Sequence, residues 1–404
     1  VPARQPWDQH RAFAWILTAL GATAFVGISV LAGAMLFPVH WPILSGYGQL
    51  ALLFSLHLLL LVPPALGLGF LAWKRGARLP AALFALAALL VFPAAFVPVL
   101  AVFGSARQLN VSLSLADYLE HARTFNVGPP ARERTVVFGV LGDGTKLELD
   151  VWWTGKPRLG PLRPAVLNVH GGAFTRGNRS ATPEWNRWLN ELGYEVFDVE
   201  YRLPPPPRFL DQVADVKAAL GYIARHAAEY HVDPAAISVM GFSAGANLAM
   251  VAAFGMGDSR LPAAVDVPRV EVRCVINFYG PTDLALLYEQ SSGPVYLRRA
   301  LEAYLGGSPA AFPDRYALLS PLTHVTNRAP PTLTLMGKMD RTVPLLHTER
   351  LDRALANAGV PHETILLSGA DHAFDTSWGA FATQVARAKL KQFLARCRTP
   401  GSAR

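Results

Sequence analysis

The pentapeptide Gly241-Phe242-Ser243-Ala244-Gly245 places a serine between two glycines, just where the texture of the chain changes. Residues 237–241 form a short apolar run that reads as a strand, and from Ala244 onward small and apolar residues read as a helix. A sharp strand-to-helix turn there lifts a serine hydroxyl above the sheet, and flanking glycines tolerate the crowded backbone. The chemistry on offer is attack by a hydroxyl, which needs a base to take its proton and donors to hold the developing oxyanion. Glycine and serine are both common, so the pentapeptide alone is weak evidence; its strand-turn-helix setting gives it weight.

The other parts of such a machine are present in order. His170-Gly171-Gly172-Ala173-Phe174 follows an apolar run at 165–169, about seventy residues before the serine, and a glycine-rich turn there exposes backbone N–H groups. Asp340 follows the run 332–336, and His372 follows the run 363–367. Both lie just past carboxyl ends of predicted strands, where open α/β sheets build their sites. Asp283, Asp371 and Asp375 compete as the acid, and His324 and His362 as the base. Asp340 is preferred because each rival lacks the strand-then-loop setting or sits too near His372 in sequence to orient the ring from its far side.

These residues need a sheet to hold them level. Predicted strands cover 135–140, 146–153, 165–169, 195–199, 237–241, 270–279, 332–336 and 363–367, with Gly142-Asp143-Gly144 as a hairpin turn between the first two. Helices are expected at 209–230, 244–255, 345–358 and 378–396. Alternation of this kind predicts a mostly parallel sheet with helices on both faces.

On these four motifs the chain resembles the hormone-sensitive-lipase-like esterases and the neighbouring bacterial feruloyl-esterase-like carboxylesterase branch of the α/β-hydrolases, from about Arg134 to Cys397. Tyr201-Arg202-Leu203-Pro204 is similar to that family's segment after its third major strand, and 211–220 to the helix that follows. The resemblance implies an α/β-hydrolase fold and a serine carboxylic ester hydrolase. Ser243 is then the nucleophile, His372 the base, Asp340 its orienting acid, and the N–H groups of Gly172, Ala173 and Ala244 the oxyanion hole. An acyl-enzyme forms and is hydrolysed without metal or cofactor. Ala173 departs from the family's usual third glycine; its N–H donor survives, but its methyl narrows the acyl site. In the family fold, 284–316 helps to wall the pocket, so Leu286, Leu287, Tyr288, Tyr296, Leu297, Leu301, Tyr304 and Leu305 are candidates to hold an acyl chain or to form the core of two short helices. The resemblance leaves open an acyltransferase with the same triad, or a membrane-anchored binding module.

The rest of the chain is of another kind. It has 404 residues, of which 51% are hydrophobic and only 16% charged. Residues 12–73 and 79–106 contain no Asp, Glu, Lys or Arg. Roughly 20 apolar residues cross a 30 Å hydrocarbon layer, so these stretches predict an all-α domain over 1–104 with spans at 13–37, 49–73 and 80–103. Pro63, Pro64, Pro93 and Pro98 are expected to kink the second and third. A cleavable signal ending near Ala32-Gly33-Ala34 is disfavoured because two further apolar stretches follow. His57 in span two reads as a packed histidine. Residues 105–130 form a linker that either lies on the membrane surface or packs on the catalytic domain at 131–398, and 399–404 form a tail.

Arg4 and Arg11 precede span one, while Lys74, Arg75 and Arg78 follow span two. The positive-inside rule then predicts a bacterial inner-membrane protein with a cytoplasmic N-terminus and a catalytic domain facing the periplasm or exterior. The net charge of +8 suits a solvated surface or anionic lipid headgroups, and no basic-aromatic pattern points to nucleic acid. The expected partners are an ester substrate, small or lipid-like, and membrane lipids. Cys274 and Cys397 have no metal-binding spacing, and neither their redox state nor the oligomeric state follows from the sequence.

Overall fold

A computed structural model describes residues 9–37, 42–121, 124, 132–152, 160–290 and 295–398. The chain divides into two compact units between Arg107 and Gln108. The expected start of the catalytic domain at 131 and the tail at 399–404 lie outside the described residues.

The N-terminal unit holds α1 (Gln9–Leu36), α2 (Pro42–Leu53), α3 (Val62–Lys74) and α4 (Arg78–Gln108). Three stretches, Arg11–Leu36, Ser55–Lys74 and Arg78–Gln108, are long and apolar enough to cross a membrane. The last continues past the residue 103 expected from sequence: its 31 residues make about 46 Å of helix. The second differs more. Instead of one helix over 49–73, α2 ends at Leu53, a 3-10 stretch runs over Ser55–Leu61, and α3 begins at Val62. Pro63 and Pro64 have no N–H to offer the carbonyls of Leu59 and Leu60, and Val62 N–H takes the Leu59 carbonyl in a tighter bond. By contrast, α4 stays helical through Pro93 and Pro98.

The inner stripe of α4 is Phe84, Ala87, Ala88, Val91, Ala94, Ala95, Pro98 and Val102, buried at helical spacing. Close approach explains two of its glycine neighbours. A Cβ on Gly69 would stand 3.3 Å from Phe84 Cβ, and one on Gly21 would stand 3.2 Å from Leu83 Cβ. Small residues let membrane-type helices touch at the backbone. Trp15, Leu60, Leu89 and Leu100 are 64–75% exposed, an apolar surface that water does not favour.

The C-terminal unit begins with α5 (Leu115–His121) and is built on eight strands: β1 (Arg132–Val140), β2 (Lys146–Trp152), β3 (Arg163–Val169), β4 (Glu195–Val199), β5 (Val232–Phe242), β6 (Val275–Phe278), β7 (Thr332–Gly337) and β8 (His362–Leu367). They form one sheet in the order β1-β2-β4-β3-β5-β6-β7-β8. The β1/β2 hairpin turns at Gly142-Asp143-Gly144 and β2 is antiparallel to β4; all later pairings are parallel. Every residue of β4, β6 and β7 is buried. Successive side chains point to opposite faces, so these strands need cover on both.

That cover comes from α6 (Pro183–Glu191), α7 (Asp211–Arg225), α8 (Ala244–Phe254), α12 (Leu346–Asn357) and α13 (Phe381–Arg398), while α9 (Leu284–Gln290), α10 (Val295–Leu305) and α11 (Pro313–Leu318) lie between β6 and β7 in the chain as three helices where two were expected. The sequence reading did not include α6. Strand β6 is shorter than the expected 270–279, although Arg273 N–H still donates to Ile237 O and Cys274 O accepts from Val239.

Helix α5 packs on α13 within the C-terminal unit. Ser114 and Gln384 exchange two hydrogen bonds of 2.8 and 3.0 Å, Asp117 pairs with Arg387, and Tyr118 stacks on Phe381 with centroids 4.6 Å apart. On the other side of α5, Leu115 and Leu119 are exposed.

A disulfide joins Cys274, just before β6, to Cys397 near the end of α13, across a sequence separation of 123 residues. Cross-linking so long a loop restricts the unfolded chain by about 2–5 kcal/mol. Replacing both cysteines by serine is therefore expected to lower the urea midpoint of the C-terminal unit, read by tryptophan fluorescence on the solubilised chain. Equal midpoints for both forms would show that the bond contributes nothing to stability.

Candidate active site

The site is assembled by strand ends. Strands β3 and β5 pair with Val169 opposite Gly241, and β7 and β8 with Gly337 opposite Leu367. The loops leaving these residues therefore start at one level on the carboxyl edge of the sheet.

Ser243 occupies the turn between β5 and α8 with φ +52° and ψ −119°, a positive-φ conformation outside the left-handed helical well that costs a non-glycine residue at least about 1–2 kcal/mol. Its N–H donates to Phe278 O at 2.9 Å, which ties the turn to the end of β6. The flanking glycines are required sterically. A Cβ on Gly241 would lie 2.4 Å from Gly245 O, and a Cβ on Gly245 would lie 2.2 Å from the carbonyl oxygens of both Val169 and His170.

His372 Nε2 is 2.9 Å from Ser243 Oγ, and His372 Nδ1 is 2.7 Å from Asp340 Oδ2. In the neutral tautomer, Nδ1–H donates to the carboxylate and the serine hydroxyl donates to Nε2. The other Asp340 oxygen accepts the N–H groups of Thr342 at 2.8 Å and Val343 at 2.7 Å. Burial alone draws the His372 pKa down, but the charge and hydrogen bond of Asp340, with Asp371 and Asp375 adding to them, leave it above its ordinary value of 6.5.

The competing residues have other engagements. Asp371 Oδ1 accepts the N–H groups of His372 at 2.7 Å and Arg341 at 3.0 Å, so it pins the backbone that carries the imidazole. Burial, with the Asp340 charge, pushes its carboxyl up to about 6. Asp375 accepts from Trp185 Nε1 at 2.8 Å and from the Tyr279 hydroxyl. Asp283 pairs with Arg350 at 2.9 Å. His324 bonds the Leu318 carbonyl and His362 that of Val360.

The loop after β3 carries the N–H groups of Gly172 and Ala173. Among the described residues, no hydrogen bond takes up the N–H groups of Gly172, Ala173 or Ala244. Gly172 has φ +130°, and a Cβ there would stand 1.8 Å from Arg176 O. Ala173 and Phe174 also have positive φ, +52° and +64°. Two supports hold this loop: Phe174 stacks on Tyr304 at 4.6 Å, and Gln212 Nε2 donates to Phe174 O at 2.8 Å. His170 lies flat against Tyr201 with centroids 4.1 Å apart. Burial lowers its pKa to about 4, so it is neutral and its Nδ1–H donates to Gly171 O at 2.8 Å.

A cavity of about 270 Å³ opens in front of Ser243, lined by Gly172, Ala173, Thr182, Phe242, Leu297 and His372 among others. Of the eight apolar residues singled out in 284–316, Tyr296 and Leu297 reach it. Leu287, Leu301, Tyr304 and Leu305 are core, as helix-face residues would be. Residues 291–294 of that region lie outside the described residues. Sequence reasoning passed over Tyr279, whose ring stands edge-on to His372 at 4.6 Å. Its position one residue past β6 was the available signal.

Because burial and Asp340 act on His372 in opposite directions, Asp340→Asn is expected to bring its titration from above 6.5 to below it. Histidine side-chain NMR on selectively labelled protein measures this. An unchanged titration would mean that the pairing does not set the imidazole's charge.

The BD-FAE family model matches residues 149–355, just over half of the chain. LipM of Mycobacterium tuberculosis, named a probable carboxylic ester hydrolase, is 30% identical over 268 residues, covering 66% of this chain and 61% of LipM. Esterase LipQ of the same organism is 31% identical over 247 residues, covering 59% and 57%. The match thus spans about three fifths of these curated relatives' length. A solved truncated carbohydrate esterase from gut microbiota shares the fold at a TM-score of 0.56 and 21% identity, over 68% of this chain and all of that one. With the family model running from within β2 to within α12 and the Ser243 turn inside it, the chain belongs to the BD-FAE family of the α/β-hydrolases.

Proposed function

We propose that this chain is a membrane-anchored serine esterase that hydrolyses carboxylic esters through an acyl-enzyme. The observation that carries the reading is the relay from Ser243 through His372 to Asp340, at 2.9 and 2.7 Å, beside three N–H groups that no acceptor among the described residues takes up. His372 takes the serine proton as Oγ attacks the ester carbonyl. The N–H groups of Gly172, Ala173 and Ala244 hold the tetrahedral oxyanion. Collapse expels the alcohol with the proton from His372, and water then repeats the sequence on the acyl-enzyme. LipM and LipQ, which bear esterase names, support the same chemistry.

The substrate in this reading is an amphiphilic ester delivered beside a lipid surface. The cavity of about 270 Å³ lies just below the usual 300–1,000 Å³ of small-ligand pockets. It suits an acyl group of short or medium length, with the remainder of the molecule outside. The three apolar stretches act as the anchor, with the loop at Lys74–Arg78 in the cytoplasm and the catalytic unit on the far side. A disulfide between Cys274 and Cys397 supports that side, since such bonds persist outside the reducing cytoplasm.

Ser243→Ala is expected to abolish labelling by a fluorophosphonate probe and to reduce aryl-ester turnover by about 10⁶. Retained turnover would remove Ser243 from the mechanism. For topology, a cysteine replacing Gly76 is expected to resist a membrane-impermeant thiol reagent in intact cells, while one replacing Ser308 reacts. The reverse pattern would invert the orientation.

A further inference from the structure

The cavity before Ser243 is lined by three side chains that bear charge: His372, Asp375 and Arg176. Two are already engaged, His372 in the relay and Asp375 with Trp185 and Tyr279. Arg176 is not. Other arginines near the same sheet edge have carboxylate partners. Arg179 pairs with Glu148, Asp150 and Glu200, Arg202 with Asp211 and Asp215, and Arg341 with Asp371. Among the described residues no carboxylate faces Arg176 within ion-pair distance. Its guanidinium carbon instead lies 5.9 Å from the centroid of Tyr296, which lines the same cavity from α10.

Its backbone is as fixed as the oxyanion loop itself. Arg176 N–H donates to Gly172 O at 3.1 Å, and Arg176 O fills the space that a side chain on Gly172 would need. The guanidinium is therefore carried on the turn that presents the Gly172 and Ala173 N–H groups. A guanidinium offers five N–H donors in a planar fork matched to a carboxylate, and it keeps its charge at any working pH.

We propose that Arg176, backed by Tyr296, selects esters that carry a carboxylate in addition to the ester group. This deepens the esterase reading and rests on it. The ester carbonyl would sit at Ser243 while the substrate's anionic end meets the guanidinium at the cavity wall, so that charge adds affinity for one class of ester over its neutral isosteres.

The experiment compares kcat/KM for a neutral aryl acetate, an aryl half-ester of succinate, which carries its carboxylate on the acyl side, and a carboxyphenyl acetate, which carries it on the alcohol side. The full chain, solubilised, is assayed as wild type, Arg176→Gln and Arg176→Lys. In wild type one of the two anionic esters is expected to exceed the neutral one in kcat/KM, mainly through KM, and raising ionic strength should erode that preference. In Arg176→Gln the anionic-to-neutral ratio should fall about tenfold or more, as expected when a charge-assisted pair is lost. Arg176→Lys should retain part of it. An active wild type whose ratios for both anionic esters stay within about twofold on losing the guanidinium would overturn this inference and leave the esterase reading intact. A wild type that turns over none of the three esters and takes no fluorophosphonate would remove both.

Discussion

The parallel pairing of β3 with β5 is the constraint on which the site depends. With Val169 opposite Gly241, the glycine-rich loop after β3 and the turn that carries Ser243 leave the sheet side by side. Gly245 then passes so close to the carbonyls of Val169 and His170 that no Cβ fits. That contact sets the distance between the first turn of α8, which carries the Ala244 N–H, and the loop that carries those of Gly172 and Ala173. A slip of one residue in this pair would turn every side chain of the slipping strand to the opposite face. The register that makes the core thus also brings the donors together, and Ser243 N–H bonded to Phe278 O extends the same alignment to β6.

Three carboxylates surround one imidazole, and each is held by donors that keep it in place. Asp340 accepts two backbone N–H groups besides His372, Asp371 accepts those of Arg341 and His372, and Asp375 accepts Trp185 and Tyr279. Desolvation opposes a charged imidazolium here, and the carboxylates more than offset it. The balance bears on the proposed reaction, in which His372 would carry a proton between Ser243 and a leaving alcohol. An environment already arranged for the positive ring has little reorganising to do.

Much of this architecture was legible from local sequence because its signals are local. Strand-then-loop settings identified the positions of Ser243, Asp340 and His372, which the structure brings within hydrogen-bond reach of one another. The seven-residue 3-10 stretch was not legible, since hydropathy is blind to which carbonyls lose their donors at Pro63 and Pro64. Helix α6 was missed because its residues, Pro-Glu-Trp-Asn-Arg-Trp-Leu-Asn-Glu, have the polarity of a loop, although Trp185 and Leu189 are fully buried. The Trp185–Asp375–Tyr279 network spans residues 185 to 375. Only tertiary structure joins such distant groups, as it joins Cys274 to Cys397.

Backbone strain is distributed unevenly. Among the described residues, non-glycine residues with positive φ are Asn110, Ala173, Phe174, His231, Ser243, Tyr279 and Ala373, and five of these line the cavity or adjoin a residue that does. Each costs about 1–2 kcal/mol, so the packed surroundings must impose the conformation. They do so by identifiable means at Phe174, through the Tyr304 stack and the Gln212 hydrogen bond, and at Tyr279, through Asp375 and the bond from its N–H to Leu335 O. Ala173 is the informative case. Glycine would adopt its φ of +52° without steric penalty, yet the chain retains a methyl there, on the wall of the cavity beside Ser243. In the proposed reaction the two roles of the residue separate: its N–H would serve the oxyanion, and its methyl would limit what can be bound next to Ser243.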